Sequence, residues 1–225
     1  LYSSAASDVY KRQTLDSLLA DRVKRLTDYQ NADYAERYRV FVERVKAAET
    51  PLKKTLLSET VARQLYKLMA YKDEYEVARL HTQTDFLNRI AESFEGDFKV
   101  HYHLAPPLLA RRNAKGELVK QKMGPWVHSA FKLLAKLKGL RGTAWDVFGY
   151  TEERHTERAL IGDYMQHIEV VIADLNDDQH AHAVAVAQVP ENIKGFGHVK
   201  ARNLKAAKAM WASLETQNTR RSKML

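Results

Sequence analysis

Apolar positions recur at three- and four-residue intervals through most of this chain, a spacing that predicts helices. Leu15, Leu18, Leu19, Val23 and Leu26 form the first stripe, and Thr14 before them suits an N-cap. A short break at Gln30–Asn31 separates it from a second helix, Asp33 to Glu49, with the stripe Tyr34, Tyr38, Phe41, Val42 and Val45. So short a connection predicts two antiparallel helices, and Pro51 ends the pair. Ser58 is the expected cap of a third helix bearing Val61, Leu65, Leu68 and Met69 on one face. The segment YKDEYEVARLH is expected to continue it through a kink, and Asp85 to Phe94 forms a further short helix.

The period changes after Gly96. Phe98, Val100, Tyr102 and Leu104 alternate with Lys99, His101 and His103, the mark of a half-buried strand. Pro106–Pro107 forces extended backbone, and residues 108–112 and 118–123 then read as a small antiparallel hairpin turning at Asn113–Gly116. Helical spacing returns at Trp126 to Lys138, with Pro125 at its first position and Gly139 at its end. The loop GLRGTAWDVFGY follows. Thr151 opens a long helix to about Leu175, and Asp177 or Asp178 begins another that stops near Pro190. A last helix runs from Val199 to about Gln217.

The expected fold class is therefore mainly α (α+β): a multi-helix domain with one small antiparallel sheet or hairpin around residues 97–123. Residues 14–217 are expected to form a single domain, and residues 218–225 a frayed tail. A chain that opens on Leu1 is expected to be a piece of a longer polypeptide, with residues 1–13 a non-native or flexible lead-in.

Composition narrows the chemistry. There is no cysteine among the 225 residues, which excludes disulfides, thiolate nucleophiles and clusters ligated by this chain's own Cys. The longest apolar runs fall short of the ~20 residues of a membrane span, and no signal-peptide core is present, so a cytoplasmic location is expected. Lys and Arg exceed Asp and Glu by 36 to 28, a formal charge of +8. Most helices mix both signs, which spreads the excess thinly and speaks against nucleic acid.

Three local patterns could carry chemistry. His101 and His103 share a strand face, as two metal ligands would, but no third ligand accompanies them, and outward or interdomain histidines are the better reading. His180 and His182 point about 200° apart on a helix and cannot share an ion. His180 with Asp177 reads more simply as N-terminal helix electrostatics. The run IKGFGHVKARN could hold a phosphate or carboxylate. Its new helix N-terminus, Gly195, Gly197 and His198 lie among Lys194, Lys200 and Arg202. The competing and favoured reading is a glycine turn that lets Phe196 tuck between two helices. Arg111 and Arg112 could clamp a carboxylate of a neighbouring domain or stand in solvent. Tyr71, Tyr75, Tyr102, Trp126, Trp145, Phe148 and Tyr150 read as core or interface aromatics. No catalytic, cofactor-binding or metal-ligating residue is assigned.

The blocks LMAYKDEYEVARLHT, FKVHYHLAPPLLARR, GPWVHSAFKLLAKLKGLRGTAWDVFGYTEER and PENIKGFGHVKARNLKAAKA resemble, in the same order, the C-terminal region of the indolepyruvate ferredoxin oxidoreductase family. The helix pair DRVKRLTDYQNADYAERYRVFVERVKAAE is similar to that region too, so the likeness runs from about Thr14 to about Leu214. The resemblance implies a parent that decarboxylates 2-oxo acids oxidatively to acyl-CoA. Such a parent uses thiamine diphosphate, magnesium and iron–sulfur clusters and passes electrons to ferredoxin. Neither the GDG…N thiamine-diphosphate motif nor cluster cysteines occur here, so no catalytic or cofactor residue carries over. The chain is then expected to be an accessory C-terminal domain. Its partners would be the thiamine-binding and smaller catalytic modules of the same polypeptide, with roles in a homo-oligomer or in seating CoA. The alternative is a free-standing basic module for nucleic acid or an acidic protein.

Overall fold

A computed structural model describes residues 14–83, 86–93, 99–104, 111–112, 118–119, 121–195 and 197–222. In chain order the elements are helices α1 (Leu15–Tyr29), α2 (Ala32–Glu49), α3 (Leu56–Met69), α4 (Glu74–Thr82) and α5 (Phe86–Ser93), then strands β1 (Tyr102–Leu104), β2 (Arg111–Arg112), β3 (Leu118–Val119) and β4 (Gln121–Met123), then α6 (Trp126–Lys136), α7 (Glu152–Ala173), α8 (Asp177–Gln188) and α9 (Gly197–Ser222). Short 3₁₀ turns follow α2, α6 and α8. The chain forms two compact units: residues 1–70 with 156–225, and residues 71–155.

The first unit is a helical assembly. Thr14 caps α1 by accepting the Ser17 amide at 3.2 Å, and Asn31 caps α2 by accepting that of Tyr34 at 2.8 Å, so the two antiparallel helices begin where capping chemistry starts them. Leu18, Leu26, Val42, Val45, Leu57 and Leu65 are wholly buried. Each such aliphatic side chain withdrawn from water contributes ~1.5–3 kcal/mol. The large aromatics enter the core with their polar ends satisfied. Tyr38 donates to the Ala62 carbonyl at 2.8 Å, Tyr164 to that of Ala187 at 3.1 Å, and the Trp211 indole to that of Val186 at 3.1 Å.

The second unit contains the strands. β1 pairs with β4 antiparallel (Tyr102 opposite Met123, His103 opposite Lys122), and β2 pairs with β3 (Arg111 opposite Val119). Tyr102 is buried and His101 and His103 are exposed, as the alternation requires. Tyr102, with Val100, Leu104 and Met123 around it, joins Ala78 of α4 and Val127, Phe131 and Ala135 of α6 in one core. The Tyr102 and Phe131 rings meet edge to face at 5.4 Å, and His81 stacks on Phe131 at 5.6 Å.

Several expected boundaries move. The third helix starts at Leu56, so Ser58 lies inside its first turn and Glu49 supplies the cap. The chain does not pass through a kink after Met69: α3 ends there, and Asp73 caps a new helix by accepting the Glu76 amide at 2.8 Å. Helix α6 ends at Lys136, with Gly139 inside the 3₁₀ turn beyond it, while α9 continues to Ser222.

Candidate functional site

Two buried polar centres organise the two units. In the first unit Glu49 is fully buried at the end of α2. Its carboxylate accepts the Leu57 and Ser58 amides, each at 2.8 Å, the Ser58 hydroxyl at 2.5 Å, and a bond from His180 Nε2 at 2.7 Å. Burial pushes this carboxyl up, but the bonds from Ser58, His180 and the two amides outweigh it and hold the pKa below its ordinary value. A carboxylate from one helix thus caps the positive end of another. Asp177 stands in the first turn of α8, as helix electrostatics predicts, and pairs with Lys54 at 2.6 Å, while His180 binds Glu49. The distance of 131 positions between Glu49 and His180 hid that bond from any local motif.

In the second unit Asp73 and Arg141 form a two-pronged ion pair at 2.5 and 2.8 Å, both nearly inaccessible to solvent. Asp146 accepts the Gly142 amide at 2.8 Å and the Tyr75 hydroxyl at 3.2 Å. Burial, and next the negative charge of Asp146, push the Tyr75 hydroxyl pKa well up, so it stays a neutral donor. The Phe148 ring meets Tyr75 edge to face at 5.3 Å. The Tyr150 hydroxyl reaches back across the loop to the Ala144 carbonyl at 2.7 Å. Residues 139–150 are therefore tied down from beneath at Arg141, Asp146 and Phe148. Above that base Trp145, Val147 and Tyr150 stand 77%, 61% and 65% exposed.

The aromatics singled out in the sequence thus divide. Tyr71, Tyr75 and Tyr102 are buried and Phe148 half-buried, whereas Trp126, Trp145 and Tyr150 face solvent. Trp126 stands 63% exposed at the start of α6, with Leu133 at 63% and Leu137 at 40% further along. The sequence marked these aromatics as core or interface without separating the two. For Trp126 the register of α6 against α4 decides it.

The candidate anion residues fall in both units. Arg111 and Arg112 lie on β2 in the second unit, and their side chains are outside the described residues, as is Phe196. In the first unit Gly195 and Gly197 both take positive φ, 94° and 53°, which is how the chain turns into α9. Lys194 and His198 are exposed, and Lys200 is ion-paired with Glu157. Lys67, which no local motif pointed to, donates to the Pro190 and Glu191 carbonyls at 2.7 and 3.3 Å. Burial, and then the charges of Lys194 and Lys200, lower its pKa. Two of these three lysines are thus engaged inside the protein. Among the described residues no group of three His, Cys, Asp or Glu converges as metal ligands would.

Charge is less evenly spread than the mixed helices suggested. From Lys99 to Arg141 the chain carries ten Lys or Arg and one acidic residue, Glu117, a formal +9; the rest of the chain sums to −1. Lys99, Lys122, Lys132 and Lys136 within that stretch are exposed.

The model of one family, described as "Family of unknown function (DUF6537)", matches residues 15–213. The chain belongs to this family. Comparison with curated proteins and with solved structures found no match. The matched span takes in both buried centres, loop 139–150 and α6. Among the described residues no helix is long and apolar enough to cross a membrane.

Proposed function

We propose that this chain is a non-catalytic accessory domain of an indolepyruvate-type 2-oxoacid:ferredoxin oxidoreductase, packing on the catalytic modules of the same polypeptide. The observation that carries the reading is the loop 139–150. Its base is fixed by the buried Asp73–Arg141 pair and by Asp146, and it holds Trp145 and Val147 out to solvent at 77% and 61% exposure. Exposed large apolar groups on a rigid base are what an interface uses, because the ordering entropy has been spent before the partner arrives. The most strongly bonded titratable groups support the same reading: Glu49, Asp73 and Asp146 are buried and occupied in holding helices and loop. The ordered blocks of sequence likeness supply the parent. Thiamine diphosphate, magnesium, iron–sulfur clusters, CoA and ferredoxin belong to that parent's other modules in this reading.

The test uses the long parent polypeptide. Trp145→Ser with Val147→Ser is expected to leave the helical content unchanged while lowering oligomer size or 2-oxo-acid turnover, read by light scattering and by coupled reduction of ferredoxin. Wild-type assembly and turnover in that variant would sink the reading. The concentration of positive charge between Lys99 and Arg141 favours a second reading, a basic binding module. A gel shift with duplex DNA at low and moderate salt separates the two, since phosphate contacts weaken steeply as salt rises.

A further inference from the structure

We propose that the outer face of α6 is a docking face for an acidic amphipathic segment of another polypeptide. Helix α6 has two apolar faces. Val127, Phe131 and Ala135 turn inward, 3%, 8% and 1% exposed, into the core shared with α4 and the β1–β4 pair. Trp126 and Leu133, with Leu137 where the following 3₁₀ turn begins, are spaced by seven and four residues, so they align away from that core, where they are 63%, 63% and 40% exposed. They make a strip about 16 Å long at the helical rise. A helix at a protein surface ordinarily turns charged and polar residues to water there. Anchors at this spacing are those by which one helix lies against another.

Charge says what kind of segment fits. Lys132 and Lys136 lie four residues apart on one flank of the strip, both exposed, and α6 has no acidic residue. The acidic residues of the neighbouring loop and helix cap, Asp146 and Asp73, are buried and turned to Gly142 and Arg141. The complement to an apolar strip edged by lysines that pair with no acidic group among the described residues is an apolar stripe edged by Asp or Glu. Opposite charge would set its register and speed its approach. A bilayer fits less well: interfacial helices sink ~5–10 Å on a broad apolar face, whereas this strip is narrow and the rest of the helix is fixed in the core. Nucleic acid would engage the lysines and leave Leu133 and Leu137 unused. The inference holds under either reading of the parent, because it rests on α6 and the turn that follows it.

The test measures fluorescence anisotropy of a labelled helical peptide with Leu at one face and Glu elsewhere, titrated with the full chain. A Lys-for-Glu counterpart, vesicles of phosphatidylcholine with phosphatidylserine, and single-stranded DNA serve as rival probes. The Glu peptide is expected to bind and the Lys peptide not to. Lys132→Glu with Lys136→Glu is expected to weaken binding roughly tenfold or more, and Leu133→Ser by a similar factor. Lys205→Glu, an exposed change in the first unit, is expected to bind as wild type does. No binding of the Glu peptide overturns the proposal. So does equal binding of the Lys peptide, displacement of the Glu peptide by vesicles or DNA, or wild-type affinity in the folded Lys132/Lys136 variant.

Discussion

Single side chains decide the stability of each unit, and Glu49 is the clearest case. A buried carboxylate with four donors stabilises only while all of them are in place; an amide in its stead turns one of the two acceptor oxygens into a donor and strands the two groups that bond to it. Glu49→Gln is expected to cost ~2–4 kcal/mol in urea unfolding at neutral pH. Because the folded-state pKa lies below the ordinary value of 4.5, Glu49 contributes its stability above that pH. The contribution is lost as pH falls through the lower folded value. The gap between wild type and Glu49→Gln should therefore close on acidification below about 4.5, and a gap that stays constant would contradict the assignment. The ion pair in the second unit gives a different pattern. Arg141→Met is expected to cost ~3–5 kcal/mol by stranding the buried Asp73. Adding Asp73→Asn should recover part of that loss, and a double-mutant cycle measures how much. None of this was legible in local sequence. Glu49 looked like the last residue of a helix and Arg141 like a loop residue, because their partners lie 131 and 68 positions away.

At the scale of elements, periodicity and capping residues carried most of the information. Thr14, Asn31, Asp73 and Asn176 each accept a backbone amide three residues on, and each is a residue type suited to that bond. The cap of α3 was missed for the same physical reason in reverse. Thr55 stands in the cap position but turns its hydroxyl to Glu59 and caps no amide, and a carboxylate from the preceding helix takes over the task. The turn into α9 separates two glycines that look alike in the sequence. A Cβ on Gly195 would sit 2.7 Å from the Val199 side chain, at a φ of +94°, whereas at Gly197 nothing lies within 4 Å and only the left-handed backbone, at +53°, is at issue. Gly197→Ala should cost ~1–2 kcal/mol, and Gly195→Ala clearly more, since steric overlap adds to backbone strain. Thermal unfolding of the two variants side by side reads the order; the reverse order would mean that the turn is built differently.

Over the whole molecule, the positive excess is the contribution of one stretch, and that stretch lies in the second unit with the exposed aromatics. Trp145→Ser with Val147→Ser is expected to change the stability of the isolated chain by no more than ~0.5 kcal/mol, since neither side chain is buried. A substantial loss of stability would mean that these residues are folded into the chain and not held out for a partner.

The sequence by itself determined most of the helices, the pleat that buries Tyr102 between His101 and His103, and the location of the glycine turn into α9. All of these depend on spacing and capping within a few residues. Tertiary structure alone decided which aromatics face water, that Glu49 meets His180, that Asp73 meets Arg141, and that α6 carries apolar groups on both sides. Such outcomes depend on which residues distant along the chain are brought within a hydrogen bond or a van der Waals radius of one another, and no local period encodes that.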